Sequence, residues 1–169
     1  MRPNLIAQMA PEGNDDRGTL RRYLEVLSLV ERLHRLLLDV IKDEFERTGV
    51  SEINAVQALL LFNIGTHEVT AGELRSRGYY QGSNVSYNLK KLVENGYMHH
   101  QRSEVDRRSV RVRLTPRGQA VHDAVLDLFH RHTLGMNAKG LIADEAIEDA
   151  NALLRRLERF WTEQIRYIY

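Results

Sequence analysis

Ser83 to Gly118 reads SNVSYNLKKLVENGYMHHQRSEVDRRSVRVRLTPRG, and the change of hydrophobic period along it decides the fold. In its first third Val85, Leu89, Leu92 and Val93 recur at helical spacing, which turns Ser83, Asn84, Tyr87, Lys90 and Lys91 to the opposite face. Gly96 supplies the left-handed residue that ends such a helix. Further on, Val110, Val112 and Leu114 alternate with Arg111 and Arg113, the period of a strand with one buried and one wet face. Thr115 before Pro116 marks a new helix start, because a threonine hydroxyl accepts from free N–H groups and proline at the first helical position loses nothing. Helix, strand, basic turn, strand and helix start in this order describe a winged helix, with Glu104 to Ser109 as the wing.

Outward from that block the chain is helical. Residues 1–18 (MRPNLIAQMAPEGNDDRG) are rich in Pro, Gly, Asn and Asp and read as a flexible arm. Thr19 to Thr48 carries Tyr23, Leu27, Val30, Leu33, Leu37, Ile41 and Phe45 at helical spacing, with Leu24, Leu29, Leu36 and Leu38 adding apolar surface on other sides. A helix apolar over so wide an arc needs more than one partner. Ser51 is placed to cap a second helix bearing Val56, Leu59, Leu60 and Phe62 and ending at Gly65. Thr70 and Glu73 have the spacing of a reciprocal capping box, which starts the first helix of a helix-turn-helix. After Thr115 a long helix holds Val121, Val125, Leu128 and Phe129, and a break is expected from Gly135 to Gly140. The last helix repeats Ile147, Ala150, Leu154, Leu157, Trp161, Ile165 and Ile168 so near the chain end that little of its own subunit is left to cover it. Such a face either folds back on its own core or meets a second subunit.

Composition bounds the function. With 169 residues, 43% hydrophobic and 28% charged, the chain is an ordinary globular protein large enough for one real core. The net charge of +1 is unevenly spread: Thr70 to Gly118 holds ten Lys and Arg against four Asp and Glu, a net +6, so the remainder is −5. That asymmetry is the electrostatic footprint of a surface for a polyanion. The absence of cysteine removes thiol sensing, disulfides and cysteine-based metal centres. No apolar run has membrane-spanning length and no signal peptide is evident, so the expectation is a cytoplasmic protein with no membrane association.

The central block resembles the MarR family of winged-helix transcriptional regulators. The family's S-T-V-T recognition-helix start and its D-x-R-x-x-x-x-x-L-T-x-x-G wing pattern match SNVS at Ser83 to Ser86 and DRRSVRVRLTPRG at Asp106 to Gly118. The resemblance implies a mainly α, α+β fold: a winged helix-turn-helix with long N- and C-terminal dimerisation helices, organised as an arm over 1–18, a dimerisation helix over 19–50, a DNA-binding domain over 51–118 and C-terminal dimerisation helices over 119–169. The partners implied are double-stranded DNA, a second copy of the chain, and a small aromatic or anionic effector. No cofactor is expected.

The N-terminal half of the recognition helix enters the major groove in such folds, so Ser83, Asn84, Ser86 and Tyr87 are the candidate base readers, asparagine being suited to adenine. Tyr87 stands where many family members carry arginine, which changes the usual guanine contact. Lys90, Lys91 and Arg102 suit phosphates. The resemblance gives Arg108 a minor-groove role and Asp106 the task of holding the wing arginines, with Arg107 and Arg111 as backbone candidates; Arg111 and Arg113 equally fit a solvated strand face. In the helix-turn-helix turn, Tyr79 and Tyr80 could fill the core, touch phosphate or line an effector pocket, the core being favoured for Tyr80. The candidate effector lining is Phe45, Leu61, Phe62, Tyr80 and Val112, residues that serve equally well as plain core.

The seven histidines form no compact ligand set: His99 and His100 point to opposite faces of a strand, and His130 and His132 do not share a helix face. There is no Gly-rich phosphate loop, H-E-x-x-H or G-x-S-x-G, which argues against an enzyme. The alternatives are a winged-helix protein-interaction adaptor without DNA binding, which the wing arginines weaken, and a metal-responsive regulator.

Overall fold

The computed structural model describes residues 15–70, 73, 82–102 and 110–168. Five helices and three short strands make up this part: α1 (Asp15–Thr48), α2 (Ala55–Ile64), β1 (Val69–Thr70), α3 (Gly82–Glu94), β2 (Met98–Arg102), β3 (Val110–Leu114), α4 (Pro116–Ala138) and α5 (Asp144–Ile168). The strands form one antiparallel sheet in the order β1-β3-β2. Val69 lies across from Val112, which also faces His100, while Arg113 faces His99. Val112 is buried and Arg111 and Arg113 are exposed, as the alternation predicts. No helix among the described residues is long and apolar enough to cross a membrane.

The caps explain the boundaries. At the end of α3, Gly96 has φ +75°, and the Tyr97 N–H closes the turn onto the Leu92 carbonyl at 2.8 Å. The Thr115 hydroxyl accepts from the Gly118 N–H at 3.1 Å, with Pro116 in the first turn of α4. Thr70 and Glu73 form the expected reciprocal box: the Thr70 N–H donates to the Glu73 carboxylate at 2.6 Å and the Glu73 N–H to the Thr70 hydroxyl at 3.1 Å.

Three sequence expectations are corrected. Asn54, not Ser51, caps α2, because Gln57 three residues on returns its side chain to the Asn54 N–H at 3.2 Å while Asn54 accepts from the Gln57 N–H at 2.9 Å. Helix α1 starts at Asp15 rather than Thr19, so residues 15–18 belong to it and not to the arm; two aspartates there suit the positive end of the helix dipole. The remainder of that arm, residues 1–14, lies outside the described residues. Helix α4 continues through Gly135 to Ala138, and the break comes only at Gly140, where the Leu141 N–H reaches back to the Met136 carbonyl at 3.0 Å.

The core is gathered around α2, which is sandwiched between the C-terminal third of α1 and the N-terminal half of α4. Ile41, Phe45, Leu60, Leu61, Leu92, Val112 and Val125 are all buried there. Of the apolar stripe on α1, only Ile41 and Phe45 are fully covered; Leu20, Leu24, Leu29, Val30, Leu33 and Leu36 are exposed. At 34 residues α1 is about 51 Å long and overruns the core it packs on. Helix α5 makes only marginal contact with the other elements, and Leu153, Leu154, Phe160, Trp161 and Ile165 are exposed on it.

Glu44 ties α1 to α4. Its carboxylate takes a forked pair of bonds from Arg47, at 2.8 and 3.1 Å, and another from Arg131 at 2.6 Å. Arg47 and then Arg131 hold its pKa down at about 2. The folded state thus favours the ionised carboxylate, a contribution fully present above the ordinary value of 4.5 and lost as pH falls from there through about 2. Glu44→Gln should lower stability at neutral pH by about 1 kcal/mol, allowing for solvent screening of the exposed arginines, and should flatten the acid limb of a stability-against-pH curve. Parallel acid limbs for the two proteins would show that the network carries no linkage.

Candidate nucleic-acid interface

Helix α3 offers the face expected of a reader. Leu92 is buried, Leu89 and Val93 pack against the core, and Ser86, Tyr87 and Lys90 are exposed. Tyr87 is 62% exposed, a large ring held in water on the helix surface. Ser83 and Asn84 fall in the first turn of α3 and Arg102 ends β2, but their side chains lie outside the described residues. The wing residues Asp106, Arg107 and Arg108, and Tyr79 and Tyr80 of the turn, lie wholly outside them.

The candidate phosphate contacts carry internal partners. Lys90 and Lys91 both reach Glu94, at 3.8 and 3.2 Å. Exposed pairs one turn apart on a helix are worth a few tenths of a kcal/mol, so both lysines can exchange that carboxylate for phosphate at little cost. Arg111 donates to Glu68 at 2.8 Å, which braces the loop before β1 against β3. Arg113 stands exposed across from His99.

A second set of residues holds α3 in place, and local sequence pattern marks only a helix start there. The Thr115 hydroxyl donates to the Gly96 carbonyl at 2.8 Å, and the Thr115 N–H donates to the Tyr97 carbonyl at 3.1 Å. Arg117 donates to the Asn95 carbonyl at 3.0 Å, lies 4.4 Å from the centre of the Tyr97 ring, and pairs with Glu52 in the loop between α1 and α2. The Tyr97 hydroxyl donates to the same Glu52 carboxylate at 3.4 Å, and burial pushes its pKa up. Gly118 is buried so closely that a Cβ there would lie 2.1 Å from the Tyr97 carbonyl oxygen. A glycine in the first turn of a helix, where it is otherwise unfavourable, was the available signal.

Among the described residues, the candidate effector residues Phe45, Leu61, Phe62 and Val112 do not line any one of the described clefts together. Phe45 lines clefts of about 470 and 340 Å³ on either side of the loop after α1, and Val112 lines another of about 440 Å³ between α3 and the sheet. Leu61 is fully buried, Phe62 packs on His122 and Phe129 with ring centres 5.4 and 5.2 Å away, and Tyr80 lies outside the described residues.

Comparison with known proteins supports the same reading. Residues 53–118 match the family model of a winged helix DNA-binding domain. The chain is 32% identical over 156 residues to the exopolysaccharide II synthesis transcriptional activator ExpG of Rhizobium meliloti, an alignment covering 92% of this chain and 80% of that protein. Among solved structures it resembles a MarR transcriptional regulator from Methanosarcina mazei Go1, with 23% identity, a TM-score of 0.63, and coverage of 81% of this chain and 96% of the other. Streptococcus pneumoniae FabT, solved in complex with DNA, gives 22%, 0.62, 83% and 98%. Staphylococcus aureus MarR, solved with salicylate and kanamycin, gives 20%, 0.66, 85% and 94%. These three likenesses show a shared fold.

Proposed function

This chain belongs to the MarR family of winged-helix transcriptional regulators, and from that we propose that it acts in the cytoplasm as a homodimer on a pseudo-palindromic duplex, released by a small aromatic or anionic effector. The observation that carries the reading is the pairing of an outward α3 face, with Ser86, Tyr87 and Lys90 exposed, and uncovered apolar faces on α1 and α5. One winged helix reads only a few base pairs; two related by a two-fold axis read an inverted repeat with half-sites about 10 base pairs apart. Selection of bound sites from random duplexes by the purified protein tests this directly, and an inverted repeat is the expected product. Recovery of no preferred duplex would favour the adaptor reading. Repeating the binding measurement with salicylate present tests release, which should appear as a lower affinity for the selected site.

Position on α3 should separate two phenotypes. Asn84 lies in the first turn, where side chains reach base edges, whereas Lys91 lies two turns further on, nearer the DNA backbone. Asn84→Ala should cost roughly 1 to 3 kcal/mol on the selected site and flatten the preference at one position per half-site. Lys91→Ala should weaken all duplexes alike and reduce the logarithmic salt slope by about 0.9 for each phosphate that is no longer neutralised. If instead Lys91→Ala changed which base is preferred, the helix would be docked on a different face.

A further inference from the structure

Three elements far apart in sequence meet at the C-terminal end of α3: the turn of Asn95 to Tyr97, the start of α4 at Thr115 to Gly118, and the loop between α1 and α2 at Glu52. From the start of α4, Arg117 reaches both of the others, through the Asn95 carbonyl, the Tyr97 ring and the Glu52 carboxylate. We infer that Arg117 is a positioning residue for DNA reading, fixing the angle of α3 to the dimerisation helices and hence the half-site spacing the dimer accepts. The inference rests on the homodimeric DNA-binding reading above.

The chemistry of the joint supports this assignment over a plain stabilising role. Arg117 and Glu52 have side chains 51% and 65% exposed, so their attraction is screened and adds little to global stability. What the guanidinium supplies is direction. Its planar fork donates one N–H to a carbonyl left over at the helix end and another to a carboxylate, while its face lies against a buried aromatic ring. Thr115 already ties the backbone after α3 to α4, and the described hydrogen bonds from that unit to the loop after α1 run through Glu52, with Arg117 and the Tyr97 hydroxyl as donors. Loss of the fork therefore removes the directed part of this joint and leaves the Tyr97–Glu52 bond and the packed core in place, so the angle of the reading helix is held less tightly without opening the core.

Half-site spacing reads that angle. One inserted base pair moves a half-site by about 3.4 Å and turns it by roughly a tenth of a helical turn. A rigid pair of α3 helices cannot follow; a loosened pair can.

The test uses the full chain, the duplex selected by the wild type, and versions of it with one base pair added or removed at the centre, at one fixed salt concentration. Arg117→Ala and Arg117→Lys should remain folded dimers and should reduce the preference for native over altered spacing by about fivefold or more, equivalent to about 1 kcal/mol. Glu52→Gln, which keeps the size and the Asn95 bond, should give an intermediate loss and serves if the Arg117 variants fold poorly. Arg131→Ala, which loosens α1 from α4 away from α3, should leave spacing preference unchanged. Equal weakening on every spacing, or restored discrimination by lysine, would overturn the assignment while leaving DNA binding intact. A wild type that selects no duplex would overturn the binding reading and this inference with it.

Discussion

Gly118→Ala should be among the most damaging single-methyl changes in the winged core. The added Cβ would lie 2.1 Å from the Tyr97 carbonyl oxygen and 3.1 Å from its carbon, both backbone atoms that no side-chain rotation can move. The same oxygen accepts the Thr115 N–H at 3.1 Å, and the Gly118 N–H in turn donates to the Thr115 hydroxyl. Moving the start of α4 to admit the methyl would break the bonds that cap α4 and join it to the end of α3. We expect a loss of about 3 kcal/mol or more, the upper range for forced overpacking, and a fall in Tm of roughly 6 to 12 °C for a chain of this size. Gly135→Ala is the internal control. It lies inside α4 with open space where the Cβ would go, and should be neutral or stabilising by up to about 1 kcal/mol. Urea unfolding of the two variants decides the matter: a cost under about 1 kcal/mol for Gly118→Ala would mean that the start of α4 shifts freely.

The contrast between these glycines shows where reading from the sequence runs out. Gly96, Thr115 with Pro116, and the Thr70–Glu73 box were legible because each cap is settled within a few residues of chain. The cap of the second helix was misplaced: Ser51 is a residue type that caps, but the reciprocal bonds between Asn54 and Gln57 put the helix start at Asn54. Gly135 and Gly140 look alike in sequence, yet only Gly140 takes a positive φ. At the candidate interface the outward face of α3 followed from its period, whereas the partners of the nearby cations did not. Arg111 meets Glu68 across 43 residues of chain and Arg117 meets Glu52 across 65, separations that no local pattern encodes. The stripe on α1 carries no mark of where its burial in this subunit ends. Seven positions shared one spacing, but burial stops where the core stops, leaving Val30 and Leu33 uncovered.

Those uncovered residues lead to the second large effect. Trp161→Glu should convert the protein to a monomer of 19.6 kDa and abolish tight binding to a duplex with two half-sites. Trp161 and Ile165 are 44% and 60% exposed on a helix that barely touches its own subunit, and neither belongs to the buried core cluster. The substitution should therefore leave the folding of the winged core nearly intact. A two-fold interface carries each changed residue twice, so a loss of about 3 to 5 kcal/mol for a buried Trp is doubled before the burial of two carboxylates is added. That total is comparable to the whole affinity of a micromolar dimer, about 8 kcal/mol, so dissociation at working concentrations follows. With the subunits apart, a duplex holding both half-sites is bound no better than one holding a single half-site, and the loss on the full site should exceed about a hundredfold. Light scattering gives the mass and titration of the two duplexes gives the ratio. A dimeric Trp161→Glu protein would place the interface on a different face of α5 or on α1 alone. A monomer that still prefers the full site would show that two chains assemble on DNA without needing this helix.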